Sequence, residues 1–207
     1  MSSFTLIFVT SGETTHGSSS TQYEHPVCAG ETREGVDVKT YNFKIEQWLP
    51  RPREEVFGFF ADANHLEILT PPWLHFKILT PGPIQMKPGT LIDYHITLHD
   101  VPIRWQSEIL VWEPPYRFVD EQCQGPYRHW IHEHTFCDHE GGTLVGDEVE
   151  YAVPGGAMIQ KLFVAPDLHR IFDYKRQKLR EVVCKAGAPF PTTKRNIPPK
   201  PALQLRS

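Results

Sequence analysis

The chain has no basic excess, no closely spaced cysteine pair and no long apolar run, and each absence removes a class of function. Its 21 lysines and arginines are outnumbered by 25 aspartates and glutamates, a formal charge of −4. A nucleic-acid binder would ordinarily carry a clustered positive surface. Only four cysteines occur, Cys28, Cys123, Cys137 and Cys184, and none forms a C-x-x-C. A chain of this length does not depend on staples, so reduced thiols in a cytoplasmic setting are expected, although Cys123 and Cys137 fall where neighbouring strands could bring them face to face. The apolar run Phe4–Val9 has no basic segment before it and is short for a signal peptide. No stretch approaches the ~18 apolar residues that cross a bilayer, which predicts a soluble protein without stable membrane insertion. Gly141-Gly142 and Gly155-Gly156 are turns, not phosphate loops, because neither belongs to a G-x-G-x-x-G unit between strand and helix. No internal repeat is visible.

What is present is a patterned middle between two plain ends. Residues 1–40 include a stretch rich in Ser, Thr, Gly and Glu, which predicts a disordered extension. Residues 186–207 hold five prolines, no acid and the basic residues Lys194, Arg195, Lys200 and Arg206, which predicts a solvated tail. Between them, 41–185 reads as one domain. Tyr41 to Gln47 alternates apolar and polar residues, as a strand does. Pro52 followed by Arg53-Glu54-Glu55 starts a helix whose apolar face is Val56, Phe57 and Phe60. Asp62 caps a second short helix, which Thr70-Pro71-Pro72 ends.

Strands are predicted at about 73–79, 89–99, 103–112, 116–123, 128–138 and 142–153, with turn signals such as Glu113-Pro114-Pro115 and Glu140-Gly141-Gly142 between them. Short connections make successive strands antiparallel. A last helix opens at Pro166-Asp167, with Leu168, Ile171, Phe172, Lys175, Leu179, Val182 and Val183 at helical spacing. The run Lys175-Arg176-Gln177-Lys178 reads as a solvated face of that helix. An antiparallel sheet with its helices grouped together is an α+β fold.

Several segments sharpen this order. Trp48 to Phe57 carries a strand end, a proline-containing turn and Glu54-Glu55-Val56-Phe57; Asn64 to Pro72 ends in Thr70-Pro71-Pro72. Gly125-Pro126-Tyr127 precedes Trp130-x-His132-x-His134-x-Phe136, and Asp147-x-x-x-Tyr151-x-x-Pro154-Gly155 follows. These segments resemble the START/polyketide-cyclase-like superfamily, SRPBCC, and within it a bacterial cyclase/dehydrase-related subgroup. The resemblance covers residues 41–185 and implies the helix-grip fold, a curved sheet of about seven strands wrapped around a long C-terminal helix, with two short helices after the first strand. The superfamily holds carriers and enzymes alike, so fold alone does not fix activity.

A strongly curved sheet facing one helix leaves an internal cavity unless large side chains fill it. Strand alternation selects the inward residues: Ile92, Tyr94, Ile96 and Leu98; Ile103, Trp105, Ser107, Ile109 and Val111; Phe118, Asp120 and Gln122; Trp130, His132, His134 and Phe136; and Thr143, Val145, Asp147, Val149 and Tyr151. Tyr94, Trp105, Phe118, Gln122, Trp130, Phe136 and Tyr151 are the candidate ligand-binding residues. The polar minority, His132, His134, Asp120 and Asp147, must pair if buried. A His–Asp pair is also a general base, so these four are the candidate catalytic groups of a cofactor-independent cyclase or dehydratase. His132-x-His134 with a carboxylate has the donor types of a zinc site, but H-x-H on a strand is common without metal, and neither metal nor cofactor is expected. The expected function is binding of an apolar or aromatic small molecule, lipid- or polyketide-like; the alternatives are the cyclase/dehydratase and an interaction module acting through the tails. Pro154 to Ala157 reads as a pocket entrance hinged on glycine.

Overall fold

The computed structural model describes residues 39–184. The two tails lie outside the described residues. Strand β1 spans Tyr41–Leu49, and helix α1, Arg53–Phe60, begins directly after Pro52 with Glu54 and Glu55 in its first turn. That placement suits both the fixed φ of proline and the helix dipole. Asp62 accepts a hydrogen bond from the Asn64 backbone and caps a short 3₁₀ turn, Ala63–His65, that runs into α2, Leu66–Leu69. The strand expected at 73–79 is mostly irregular. A 3₁₀ turn occupies Pro72–Leu74, and β2 is only Lys77–Ile78.

The remaining strands are β3 (Leu91–Leu98), β4 (Val101–Glu113), β5 (Arg117–Gln124), β6 (His129–His139) and β7 (Gly142–Ala152). They form one seven-stranded antiparallel sheet in the order β1-β7-β6-β5-β4-β3-β2. The hairpins at His99-Asp100 and Glu140-Gly141 are two-residue turns with positive φ at both positions, the geometry that matches strand twist. The first break therefore lies just before the expected Asp100-Val101-Pro102.

Irregular pairing interrupts β4 at Gln106/Ser107 and at Ile109/Val111. Such bulges bend a strand and raise its twist. The second one also reverses alternation. Trp112, not Val111, shares the inner face with Phe118 and packs on Phe57. The expectation that Val111 points inward fails for that reason.

The C-terminal helix starts earlier than Pro166. Gly155, at φ 85°, precedes α3 (Gly156–Ile159), a π-helical turn spans Gln160–Val164, and α4 runs Ala165–Cys184. Gly155 thus starts a helix, and residues 154–157 do not line the cavity. Leu168, Phe172 and Leu179 are the buried stripe of α4. Leu179 joins a core under α1 with Phe57, Phe60, Phe118 and Phe136, while Leu168 and Phe172 join a second with Phe43, Trp105, Trp130 and Tyr151. No helix among the described residues is long and apolar enough to cross a membrane. Cys137 is exposed and free, so it does not pair with Cys123, which is disulfide-bonded, against the expectation of reduced thiols.

Candidate functional site

Between the two apolar cores, sheet and helix stay apart. A cavity of about 230 Å³ lies there, walled by β3–β6, α2 and α4. On the same measure, a ~150 Å³ apolar cavity engineered into another protein accepts benzene. Tyr94, Trp105, Phe118 and Trp130 line it, together with Ile92, Ile96, Ile109, Leu168 and Phe172. Tyr94 and Trp105 are cross-strand partners with rings stacked at 5.8 Å, and Trp130 meets Trp105 edge-on at 5.4 Å. The Trp105 indole donates to Ser107 Oγ at 3.0 Å, and the Tyr94 hydroxyl lies 3.2 Å from the same oxygen. Burial, then the nearby Asp120 charge, raise the Tyr94 pKa well above its ordinary value, so the phenol stays neutral.

Register assembles the polar group. On β5–β6, Asp120 faces His132 and Phe118 faces His134; on β6–β7, His134 faces Asp147. Period-two alternation puts all four on the inner face of three adjacent strands. His132 Nε2 lies 3.0 Å from Asp147 Oδ1, and His134 Nδ1 lies 2.8 Å from the same oxygen but off its hydrogen-bond line. Lys175 Nζ donates to that oxygen at 2.6 Å from α4. On the cavity side, Asp120 Oδ1 is 3.9 Å from His132 Nδ1 and 3.8 Å from His134 Nε2. His134 stacks on Phe118 at 4.2 Å, and the imidazoles are 3.8 Å apart.

Burial opposes ionisation of Asp147, but the Lys175 ammonium and then the two imidazoles against the carboxylate outweigh it. They hold the carboxyl well below the usual range. Burial, then the neighbouring His134 ring, push the His132 imidazole down to about 4, against the pull of Asp147 and Asp120. Neutral His132 can accept a proton or donate a lone pair at Nδ1.

The sequence-predicted residues divide into three groups. Tyr94, Trp105, Phe118, Trp130, His132, His134 and Asp120 line the cavity. Asp147 lies behind the histidines and does not line it. Gln122, Phe136 and Tyr151 are elsewhere. The Gln122 side chain donates to the Tyr127 carbonyl at 2.8 Å and accepts from the Tyr127 backbone N–H at 3.3 Å, fixing the β5–β6 loop. Phe136 is buried against Phe57 and Phe60. Tyr151 packs on Tyr41 and Trp130 and accepts from Gln160 at 3.2 Å.

Lys175 and His65 were not foreseen. Lys175 is no solvated cation: it lines the cavity with a side chain 12% exposed. The signal was its place on the apolar stripe of the last helix. His65 also lines the cavity, but its Nδ1 is held 2.7 Å from the Phe59 carbonyl and its ring stacks on Phe59, which marks it as a packed core histidine.

No family model matches the chain, and no curated protein does. Solved structures do. Protein Ms6760 from Mycobacterium smegmatis is 18% identical, with TM-score 0.53, over 72% of this chain and 97% of its own. Protein CV1439 from Chromobacterium violaceum is 15% identical, with TM-score 0.56, over 69% of this chain and 97% of its own. Norcoclaurine synthase from Thalictrum, solved as a point mutant with a transition-state analogue, is 14% identical, with TM-score 0.52, over 71% of this chain and 98% of its own. At such identities the likeness establishes fold alone: this chain has the helix-grip fold.

Proposed function

We propose that the chain binds an apolar or aromatic small molecule with one polar end in the cavity between sheet and helix. The observation that carries this reading is the cavity itself: about 230 Å³ inside an otherwise packed domain, walled by aromatic and aliphatic side chains, with Asp120, His132 and His134 together at one place on its wall. Large rigid rings supply contact area at small entropic cost, and a few fixed polar groups orient a ligand. Native mass spectrometry of freshly purified protein, with organic extraction and identification of any adduct, tests it. A single co-purifying apolar compound supports the reading; failure to retain or take up any apolar compound across a lipid and aromatic panel contradicts it.

A second reading has its own observation. His132 faces the cavity with Asp147 at 3.0 Å behind it, the arrangement of a general base with its tautomer fixed. Under it, the chain is a cyclase or dehydratase that moves a proton next to a carbonyl. His132→Gln is expected to leave binding of an apolar probe within about threefold and to lower turnover by roughly 10²–10⁴-fold. Turnover that survives the substitution removes His132 as the base. Norcoclaurine synthase, solved with a transition-state analogue, shares the fold, so the scaffold is compatible with catalysis, and the likeness does not choose between the readings.

A further inference from the structure

The two imidazoles are arranged in an unusual way for a structural network. Each turns one nitrogen toward Asp147, His132 through Nε2 at 3.0 Å and His134 through Nδ1 at 2.8 Å. In the neutral tautomers that carry the N–H on the nitrogen nearer Asp147, the other nitrogen of each ring carries a lone pair. Those other nitrogens, His132 Nδ1 and His134 Nε2, both face Asp120 Oδ1, at 3.9 and 3.8 Å. Asp120 makes no hydrogen bond among the described residues. In that state three electron-pair donors converge, and all three donor atoms lie within 4.8 Å of one another. Such a group repels itself in a low-dielectric site unless something positive sits at its centre.

We propose that Asp120, His132 and His134 form a mononuclear site for a divalent transition cation, best matched by zinc(II), with the remaining coordination position open to the cavity. The donor set is two imidazoles and one carboxylate, as in catalytic zinc sites with three protein ligands. Tetrahedral zinc at ~2.0–2.1 Å from each ligand sets donors about 3.3 Å apart, so the two spacings to Asp120, 3.9 and 3.8 Å, close by about half an ångström and the imidazole nitrogens, within 4.8 Å of each other, by up to about 1.5 Å through χ rotation. Asp147 supplies the outer carboxylate that metal-bound histidines ordinarily have: it orients both rings and makes them better donors. Lys175, at 2.6 Å from Asp147, neutralises that carboxylate, so the inner charge available to the metal is that of Asp120. Asp120, His132 and His134 all line the cavity, so the open position faces a bound molecule and not bulk water.

This arrangement narrows the ligand class, given the reading of the cavity as a ligand site. A molecule whose apolar body fills the aromatic part of the cavity, with an anionic or carbonyl oxygen at one end, would place that oxygen on the metal. The site requires no reaction. It is a recognition device first, and a Lewis acid where a carbonyl is bound.

The test uses the full chain, treated with a chelator and then dialysed free of it. Zinc(II) alone is titrated by calorimetry, and cobalt(II) is added separately while its visible absorption is recorded. The expected result is one equivalent of each, with the intense d–d bands of low-coordinate cobalt. Asp120→Asn, His132→Gln and His134→Gln are each expected to weaken zinc binding by at least about 100-fold, and Asp147→Asn by roughly 10–100-fold. Because His134 is buried and its variant could lose the fold, Asp120→Asn decides. Its side chain is 18% exposed and anchors nothing else.

Zinc binding that is absent from the wild type, or unchanged in Asp120→Asn, overturns the proposal. Unchanged binding in Asp120→Asn would place the metal on histidines elsewhere in the chain. In a second arm, naphthalene and 1-naphthoate are bound to apo and zinc-loaded protein. Zinc is expected to raise naphthoate affinity at least tenfold and to leave naphthalene unchanged. Zinc without either probe would refute the cavity reading alone; naphthalene without zinc would refute the metal alone.

Discussion

Asp147 holds three partners on one carboxylate oxygen, Lys175 at 2.6 Å, His134 at 2.8 Å and His132 at 3.0 Å, in a site where its side chain is 8% exposed. A buried charge of this kind is favourable only as a set. Asp147→Asn leaves the Lys175 ammonium inside the domain without a counter-charge. The expected loss is about 3–5 kcal/mol in urea unfolding, and adding Lys175→Met should recover most of it, because removing both charges is far less costly than removing one. Equal destabilisation in the single and double variants would show that the pair is not coupled.

At this scale the sequence was legible where one strand decides geometry. His132 and His134 share a face because they are two apart on β6, and Asp120 and Asp147 reach them from the neighbouring strands. It was illegible where a loop or a second layer decides. Gln122 lies on an inward-facing position but is taken by the Tyr127 backbone. Lys175 stands in a charged run, and only the packing of α4 against the sheet shows that its ammonium points in. Phe136 and Tyr151 share a face with cavity residues yet sit where the layers close on each other.

Elements follow local chemistry closely in the hairpins and less closely in the helices. Gly141 has φ 73° in the β6–β7 turn, and a Cβ there would meet nothing within 4 Å. Gly141→Ala therefore costs backbone strain alone, about 1–2 kcal/mol. Gly58 sits on the exposed side of α1, and a Cβ there also meets nothing within 4 Å. Gly58→Ala should stabilise by about 0.5–1 kcal/mol. Opposite signs at two equally open glycines, read from thermal or urea unfolding, would separate conformation from packing; the same sign at both would contradict the assigned φ values. The bulge at Ile109/Val111 and the early start of the last helix were hidden for the same reason. Neither has a local signal as strong as a proline or an alternation, and Pro166, almost three turns into a continuous helical run from Gly156, draws the boundary too late. The π-helical turn before it lets α4 carry Leu168 and Phe172 over the cavity.

On the scale of the molecule, curvature is the cause and the cavity the consequence. Seven strands bend around α4, the two ends of the space fill with aromatic clusters, and the middle stays open. The central claim is that this space receives an apolar molecule, and filling it tests that most directly. Ile109 is 2% exposed and lines the cavity from β4. Ile109→Trp adds bulk into open space; were the space already filled, overpacking would cost about 1–3 kcal/mol. Naphthalene is titrated into wild type and Ile109→Trp by calorimetry, with circular dichroism to establish that both are folded. The account predicts one molecule bound per wild-type chain and at least tenfold weaker binding in a folded Ile109→Trp. Equal affinity in both, or no binding by the wild type, would contradict it.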